Sequence, residues 1–240
     1  MKEETNTRLA TLRYSFLSTL PVMAGYVVLG IGFGLLMYDK GYSFWWSVLM
    51  SITIYGGSMQ YVGVSLLSGG ASVITTALTA LMVQARHLFY GISMLDKYRN
   101  TGKGKPYLIF ALTDETYSLV CSPELPQGVD KRGYYYLVSF FDQCYWVLGS
   151  FLGGVAGSAF PFSTAGIDFS MTALFVVVFV EQWEGTKNHV PALLGLGCAI
   201  GCLLLFGADQ FLIPTMIAIT LGLFIARPWM EKGGKNCESC

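Results

Sequence analysis

An all-α integral membrane protein of seven or eight transmembrane helices is predicted by three observations. Of the 240 residues 53% are apolar and only 12% charged, the mean hydropathy is +0.53, and the apolar residues collect in stretches long enough to cross a bilayer. A soluble domain carries about 25% charged residues, so most surface positions of this chain do not face water. Lys plus Arg and Asp plus Glu both number 15, which leaves no net field to attract nucleic acid. The six cysteines lie mostly inside apolar runs, against a disulfide-stapled secreted domain, and the hydrophobicity excludes disorder. The sequence has no P-loop, H-E-x-x-H or G-x-G-x-x-G, so ATP hydrolysis, zinc peptidase and dinucleotide chemistry have no support and no cofactor is expected.

Residues 1–13 read as a polar N-terminal tail carrying Lys2, Arg8 and Arg13, and the first span runs over 14–38. That span exceeds the roughly 7 to 15 residues of a signal h-region, so it inserts and stays. Further spans are expected near 43–68, 71–95, 107–122, 134–158, 167–183, 190–206 and 211–226. Eight is the upper count, and because the fourth and the last two are short, seven crossings plus one re-entrant helix is the alternative. Residues 14–226 are expected to form a single transmembrane domain, followed by a polar tail over 227–240. Within that tail Cys237 and Cys240 supply two ligands, too few for a zinc site, and no metal is expected.

Pro106 and Pro191 sit near helix starts, where a missing amide proton costs little, and Pro214 sits in a first turn. Trp45, Trp46, Trp183, Trp229 and the run Tyr134, Tyr135, Tyr136 stand near span ends and read as headgroup anchors, the alternative being packing against neighbouring helices. The basic residues favour an inside N-terminus, although Lys97, Arg99, Lys103 and Lys105 then crowd one outside loop.

A weak internal repeat is visible, in which a glycine-rich helix is followed by a polar-interrupted one: 16–38 before 43–68, and 134–158 before 167–183. Gln60 and Gln182 occupy comparable places. Gly30 and Gly34, like Gly149, Gly153 and Gly157, are four apart, so each set puts a groove on one helix face where another helix approaches closely. Gly197 and Gly201 repeat the spacing.

An ionisable side chain at a bilayer centre costs about 2.5 to 3.5 kcal/mol on insertion scales, so each one there is a functional candidate. In the third span, helical spacing puts Thr79, Arg86 and Tyr90 on one face, with Gln84, His87 and Gly91 along the adjoining strip. The fourth span carries Thr113, Asp114, Glu115, Thr116 and Ser118 at its middle. Arg86 needs an anion and Asp114 or Glu115 a cation, which leaves open a buried ion pair that fastens two helices or a site. Two acids against one arginine leave a surplus carboxylate near His87, the chemistry of proton coupling. Asp142 and Glu181 extend the same path, Glu181 close enough to an interface for water to account for it.

The second span reads Tyr55, Gly56, Gly57, Ser58, Met59, Gln60 near its middle. Each glycine costs a helix about 1 kcal/mol relative to alanine, and the pair predicts a broken helix whose free amides bind a substrate carboxylate. Close helix packing is the alternative.

On these residues the sequence resembles the AzlC family: Leu20 and Pro21 with the glycine-rich helix, Tyr55 to Gln60, Gln84 to Gly91 (QARHLFYG) and Thr113 to Tyr117 (TDETY). The likeness extends over nearly the whole chain. AzlC-type proteins are large subunits of bacterial branched-chain amino acid exporters that work with a small AzlD-type membrane partner. The resemblance therefore implies a multi-pass secondary transporter of the bacterial cytoplasmic membrane, not an enzyme, that exports leucine, isoleucine or valine by proton exchange. Tyr55, Gly56, Gly57, Ser58, Gln60, Gln84, Arg86 and Tyr90 are its implied substrate-binding residues, and His87, Asp114 and Glu115 its implied proton-coupling residues. Many family members have Asn where Gln84 stands. Two alternatives stand beside this reading: an intramembrane hydrolase using Ser58 and His87, although Gln60 occupies the last position of a G-x-S-x-G elbow, and a non-transporting assembly subunit.

Overall fold

The computed structural model describes residues 2–121, 125–159, 189–207 and 217–225, with positions 169, 172, 176, 179, 180, 183, 184, 211, 214 and 215. The expected spans 167–183 and 211–226 fall partly outside these, and Glu181, Gln182, Trp229, Cys237 and Cys240 lie outside altogether. The described residues contain no strand. The chain divides into two compact units, Met1–Ala173 and Leu174–Cys240.

The first unit is built on two long helices, α1 (Lys2–Asp39) and α8 (Lys131–Ala159). Helix α1 takes in the expected polar tail, because residues 2–20 contain neither glycine nor proline to stop it. Its Thr11 Oγ1 accepts the Asp130 amide at 2.9 Å, while Asp130 Oδ2 accepts the Gly133 amide at 2.7 Å and caps the start of α8. Between them the chain makes six short helices: α2 (Phe44–Thr53), α3 (Gly57–Ser68), α4 (Val73–Val83), α5 (Ala85–Met94), α6 (Lys105–Phe110) and α7 (Asp114–Val120).

Three expected spans are thus each interrupted near the middle. The 43–68 segment breaks at Tyr55 and Gly56, as the paired glycines predict, and Tyr55 takes a left-handed φ of +43°, which costs a non-glycine residue about 1 to 3 kcal/mol. The 71–95 segment breaks at Gln84 (φ −93°, ψ 3°), so Thr79 and Arg86 do not share one continuous helix face as expected. The 107–122 segment breaks at 111–113, where Thr113 turns extended (φ −91°, ψ 177°) and caps α7 by accepting the Thr116 amide. Asp114 and Glu115 then occupy the first turn of α7, favoured by the helix dipole. Among the described residues, only Thr7–Asp39 is by itself long and apolar enough to cross a membrane.

The α1–α8 seam is where the glycine spacing acts. A Cβ on Gly30 would stand 2.9 Å from the Ser150 nitrogen and the Trp146 carbonyl, and one on Gly149 would stand 2.7 Å from the Val27 carbonyl. One turn on, Gly153 meets the Ile31 carbonyl and Gly34 meets the Ser150 carbonyl. Gly154 admits Phe44 of α2, and Gly157 admits Tyr38. One core cluster gathers on this seam around Tyr26, Phe33, Met37, Tyr61 and Trp146. A second holds Met94, Tyr98, Leu108, Leu112, Val120, Tyr134, Tyr135 and Val138. Tyr134 and Tyr135 are only 3% and 1% exposed, so they pack inside the protein and do not serve as headgroup anchors. Trp45 and Trp46 stay exposed at 67% and 54%.

The second unit contains α9 (Val190–Phe206), which coincides with the expected 190–206 span, has Pro191 in its first turn and ends at Gly207 with φ +74°. Its Gly197 and Gly201 have no atom of the described residues within 4 Å of an added Cβ. Gly153→Ala should therefore lower stability by about 1 to 3 kcal/mol, whereas Gly197→Ala should leave it unchanged or raise it. Thermal unfolding of the purified variants in detergent checks both.

Candidate functional site

The three helix interruptions meet. A Cβ on Gly56, at the first break, would strike the side-chain amide of Gln84, at the second. Arg86, in the first turn of α5, donates through Nη1 to Asp114 Oδ2 at the start of α7, and through Nη2 to Ser58 Oγ at the start of α3, at 2.9 Å. The Arg86 and Asp114 side chains are 32% and 17% exposed, so the pair is partly sheltered and still reachable. Each of the three charged or hydroxyl groups comes from the first turn of a half-helix, which fixes its backbone more firmly than a loop would.

Around this pair Tyr90 stacks on Tyr117, centroids 4.6 Å apart and planes at 19°, and His87 lies edge-on to Tyr90 at 5.9 Å. Several buried polar atoms have no hydrogen-bond partner among the described residues: Gln84 Oε1, His87 Nδ1, Asp114 Oδ1 and the Tyr55 hydroxyl. Such atoms cost about 1 to 3 kcal/mol each when left unpaired, and their concentration here is what a site for a polar ligand requires. Ser58 Oγ accepts from Arg86, and no Ser58–His87 hydrogen bond joins the pair on which a hydrolase would depend. The described residues contain no group of three His, Cys, Asp or Glu that would hold a metal ion.

Behind the pair runs a second polar set. Tyr26 donates to Glu115 Oε2 at 2.7 Å and lies 2.6 Å from Thr113 Oγ1. Thr113 and Thr116 hydroxyls are 3.0 Å apart, and Thr116 donates to Asp142 Oδ2 at 2.7 Å. Asp142 and Thr116 are completely enclosed. Tyr26 is absent from the sequence-based site residues, although it stands one helical turn before Gly30 on the face that meets α8.

Gln60 lies elsewhere. It is fully buried, donates to Ser51 Oγ at 3.1 Å and accepts from Trp146 Nε1 at 2.7 Å, while Ser51 donates to Ser150 at 2.7 Å. This network ties α2, α3 and α8 together. The same Trp146 ring covers Gly57, where a Cβ would stand 3.0 Å from Cη2, so the second glycine of the pair serves close packing while the first opens onto Gln84.

The segment that builds this site matches a known family. The sequence profile described as AzlC protein matches residues 21–160, which hold all of α2 to α7 and every side chain of the cluster. The chain belongs to the AzlC family. One AzlC relative, the branched-chain amino acid transport protein AzlC of Bacillus subtilis (strain 168), is 46% identical over 223 residues, covering 93% of this chain and 88% of the relative. An uncharacterized membrane protein of Haemophilus influenzae (strain ATCC 51907 / DSM 11121 / KW20 / Rd) is 44% identical over 88% of this chain and 86% of its own length. The inner membrane protein YgaZ of Escherichia coli (strain K12) is 28% identical over 89% and 87%. No solved structure matches.

In this AzlC chain, Gln60→Ala should strand Trp146 Nε1 and lower stability by about 1 to 3 kcal/mol while changing ligand affinity of the folded fraction less than fivefold. Thermal unfolding alongside ligand titration separates the two effects.

Proposed function

We propose that this chain is the large subunit of a proton-coupled secondary transporter that exports leucine, isoleucine or valine across the bacterial cytoplasmic membrane with a small AzlD-type partner. The observation that carries the reading is the Arg86–Asp114 pair held where three interrupted helices meet. A free amino acid is a zwitterion, one anion and one cation a few ångströms apart, and this pair is its complement.

With no substrate bound, Arg86 and Asp114 neutralise each other. An entering amino acid exchanges that one internal ion pair for two, its carboxylate taking Arg86 and its ammonium taking Asp114. Leaving either charge of a partly sheltered pair without a partner is unfavourable, so the exchange favours a ligand that supplies both charges over one that supplies either alone. Gln84 Oε1 and Asp114 Oδ1, which lack hydrogen-bond partners among the described residues, accept the ammonium protons. Amides at the start of α3, near Gly56 and Gly57, are further donors to the carboxylate. Tyr55 and Tyr90 shape the pocket wall. His87, Asp114 and Glu115 handle the coupling proton.

Interrupted helices belong naturally to such a site, because irregular backbone at membrane depth is tolerated where it is enclosed by protein or lines a cavity. Counting each interrupted pair as one span, the reading places seven or eight crossings within residues 14–226, as one domain between the polar tails 1–13 and 227–240. The name of the Bacillus subtilis relative supplies the substrate class.

Cells loaded with dipeptides of each branched-chain amino acid should release them rapidly only when this chain and an AzlD-type partner are expressed together. Arg86→Ala should reduce efflux at least tenfold. Unchanged efflux from an Arg86→Ala complex present at normal levels would remove the proposed role of the pair.

A further inference from the structure

Glu115 and Asp142 are the two ends of one continuous hydrogen-bonded chain. In order it runs Glu115, Tyr26, Thr113, Thr116, Asp142, with oxygen separations of 2.7, 2.6, 3.0 and 2.7 Å. Four contacts require four hydrogens. Tyr26, Thr113 and Thr116 own one hydroxyl hydrogen each, which makes three. If both carboxyls are ionised, one contact is left with lone pairs facing each other, whichever way the hydroxyls turn. A single carboxyl proton completes the set, and it fits equally at either end.

We propose that Glu115 and Asp142 hold one proton between them and that Tyr26, Thr113 and Thr116 carry it from one to the other. With the proton on Asp142, its O–H points to Thr116, Thr116 to Thr113, Thr113 to Tyr26 and Tyr26 to the Glu115 carboxylate. Transfer breaks four O–H bonds and makes four: each oxygen passes its hydrogen one place along, Glu115 becomes neutral and Asp142 takes up the negative charge. Rotation of the three hydroxyls about their C–O bonds restores the first orientation. Thr113 has lone pairs enough for this in both states, since it accepts the Thr116 amide at 3.3 Å and one hydroxyl.

The surroundings suit a shared proton. No cation is ion-paired with either carboxyl among the described residues, and two neighbouring carboxylates repel in a sheltered site. The ends face different settings. Glu115 adjoins Asp114 in the chain and feels Arg86 on α5, so its charge is coupled to the pair that receives the substrate. Asp142 is enclosed, and its charge reaches Tyr26 on α1, Tyr55 at the α2–α3 break, Tyr107 on α6 and Tyr134 on α8. Its second oxygen, Oδ1, lacks a hydrogen-bond partner among the described residues, and the Tyr55 hydroxyl adjoins Thr116, which marks the side on which a proton enters or leaves. The role in coupling rests on the transport reading above. The shared proton does not.

Two measurements test it on the full chain in lipid. The first is infrared difference spectroscopy near neutral pH, wild type minus Glu115→Gln and wild type minus Asp142→Asn. Either amide donates the missing hydrogen itself and leaves the other carboxyl ionised, so each substitution alone should abolish the same protonated-carboxyl band. A band that survives in full in one variant, or that is missing from the wild type, overturns the shared proton. The second is proton-driven amino acid flux in vesicles: Thr116→Val should reduce it at least tenfold and Thr116→Ser should keep it within twofold of wild type. Flux retained by Thr116→Val overturns the relay. A wild type that moves no amino acid at all counts against the transport reading, and the infrared result then decides the shared proton by itself.

Discussion

The contact between the backbones of α1 and α8 sets the distances on which everything else in the first unit depends. Side chains missing at Gly30, Gly34, Gly149 and Gly153 let the two helices touch main chain to main chain. The same faces carry the polar groups of the interior. On α1, Tyr26 stands one turn before Gly30. On α8, Asp142 stands two turns before Gly149 and Trp146 two turns before Gly153. The seam therefore delivers a tyrosine hydroxyl, a carboxyl and an indole N–H to fixed positions beside α2, α3 and α7, and those short helices arrange themselves around what the seam presents.

The short helices solve a problem of polarity. A continuous helix satisfies its own backbone and offers a substrate only side chains, whereas an interrupted one exposes amides and carbonyls and directs its first-turn residues inward. Three interruptions side by side place Ser58, Arg86 and Asp114 within hydrogen-bonding reach from three separate elements. The unfavourable φ of Tyr55 is the conformational cost of the first of these turns, offset by a ring that is buried in the core cluster. Polar groups divide cleanly between two duties. Gln60, Ser51, Ser150 and Trp146 satisfy one another and hold helices together. Gln84, His87 and Asp114 keep atoms unpaired among the described residues.

How much of this could be read in the sequence depends on how local the cause is. The glycine seam, the break at Gly56, the α9 limits and the need of Arg86 for an acid from the next span all follow from residues a few positions apart. The interruption at Gln84 does not, since no glycine or proline stands between Val73 and Tyr90 and only the tertiary setting breaks that helix. The partners of Gln60 and Glu115 were equally out of reach: Trp146 is 86 residues from the first, and Tyr26 is 89 from the second. Period and composition tell which face of a helix is polar, not which other face it will meet. The burial of Tyr134 and Tyr135 was hidden for the same reason, because an aromatic run near a span end fits a headgroup region and a helix interface alike.

The seam also dictates an order of events during synthesis. Gly34 finds its counterpart only when Gly153 has left the ribosome. Until then the chain between α1 and α8 consists of helices of 12 residues or fewer, too short to be stable on their own in water and carrying Arg86, Asp114 and Glu115 with no finished interior to receive them. The nascent protein therefore carries several charged half-helices without their final partners until the last piece of its first unit arrives, a delay written into the distance along the chain between two sets of glycines.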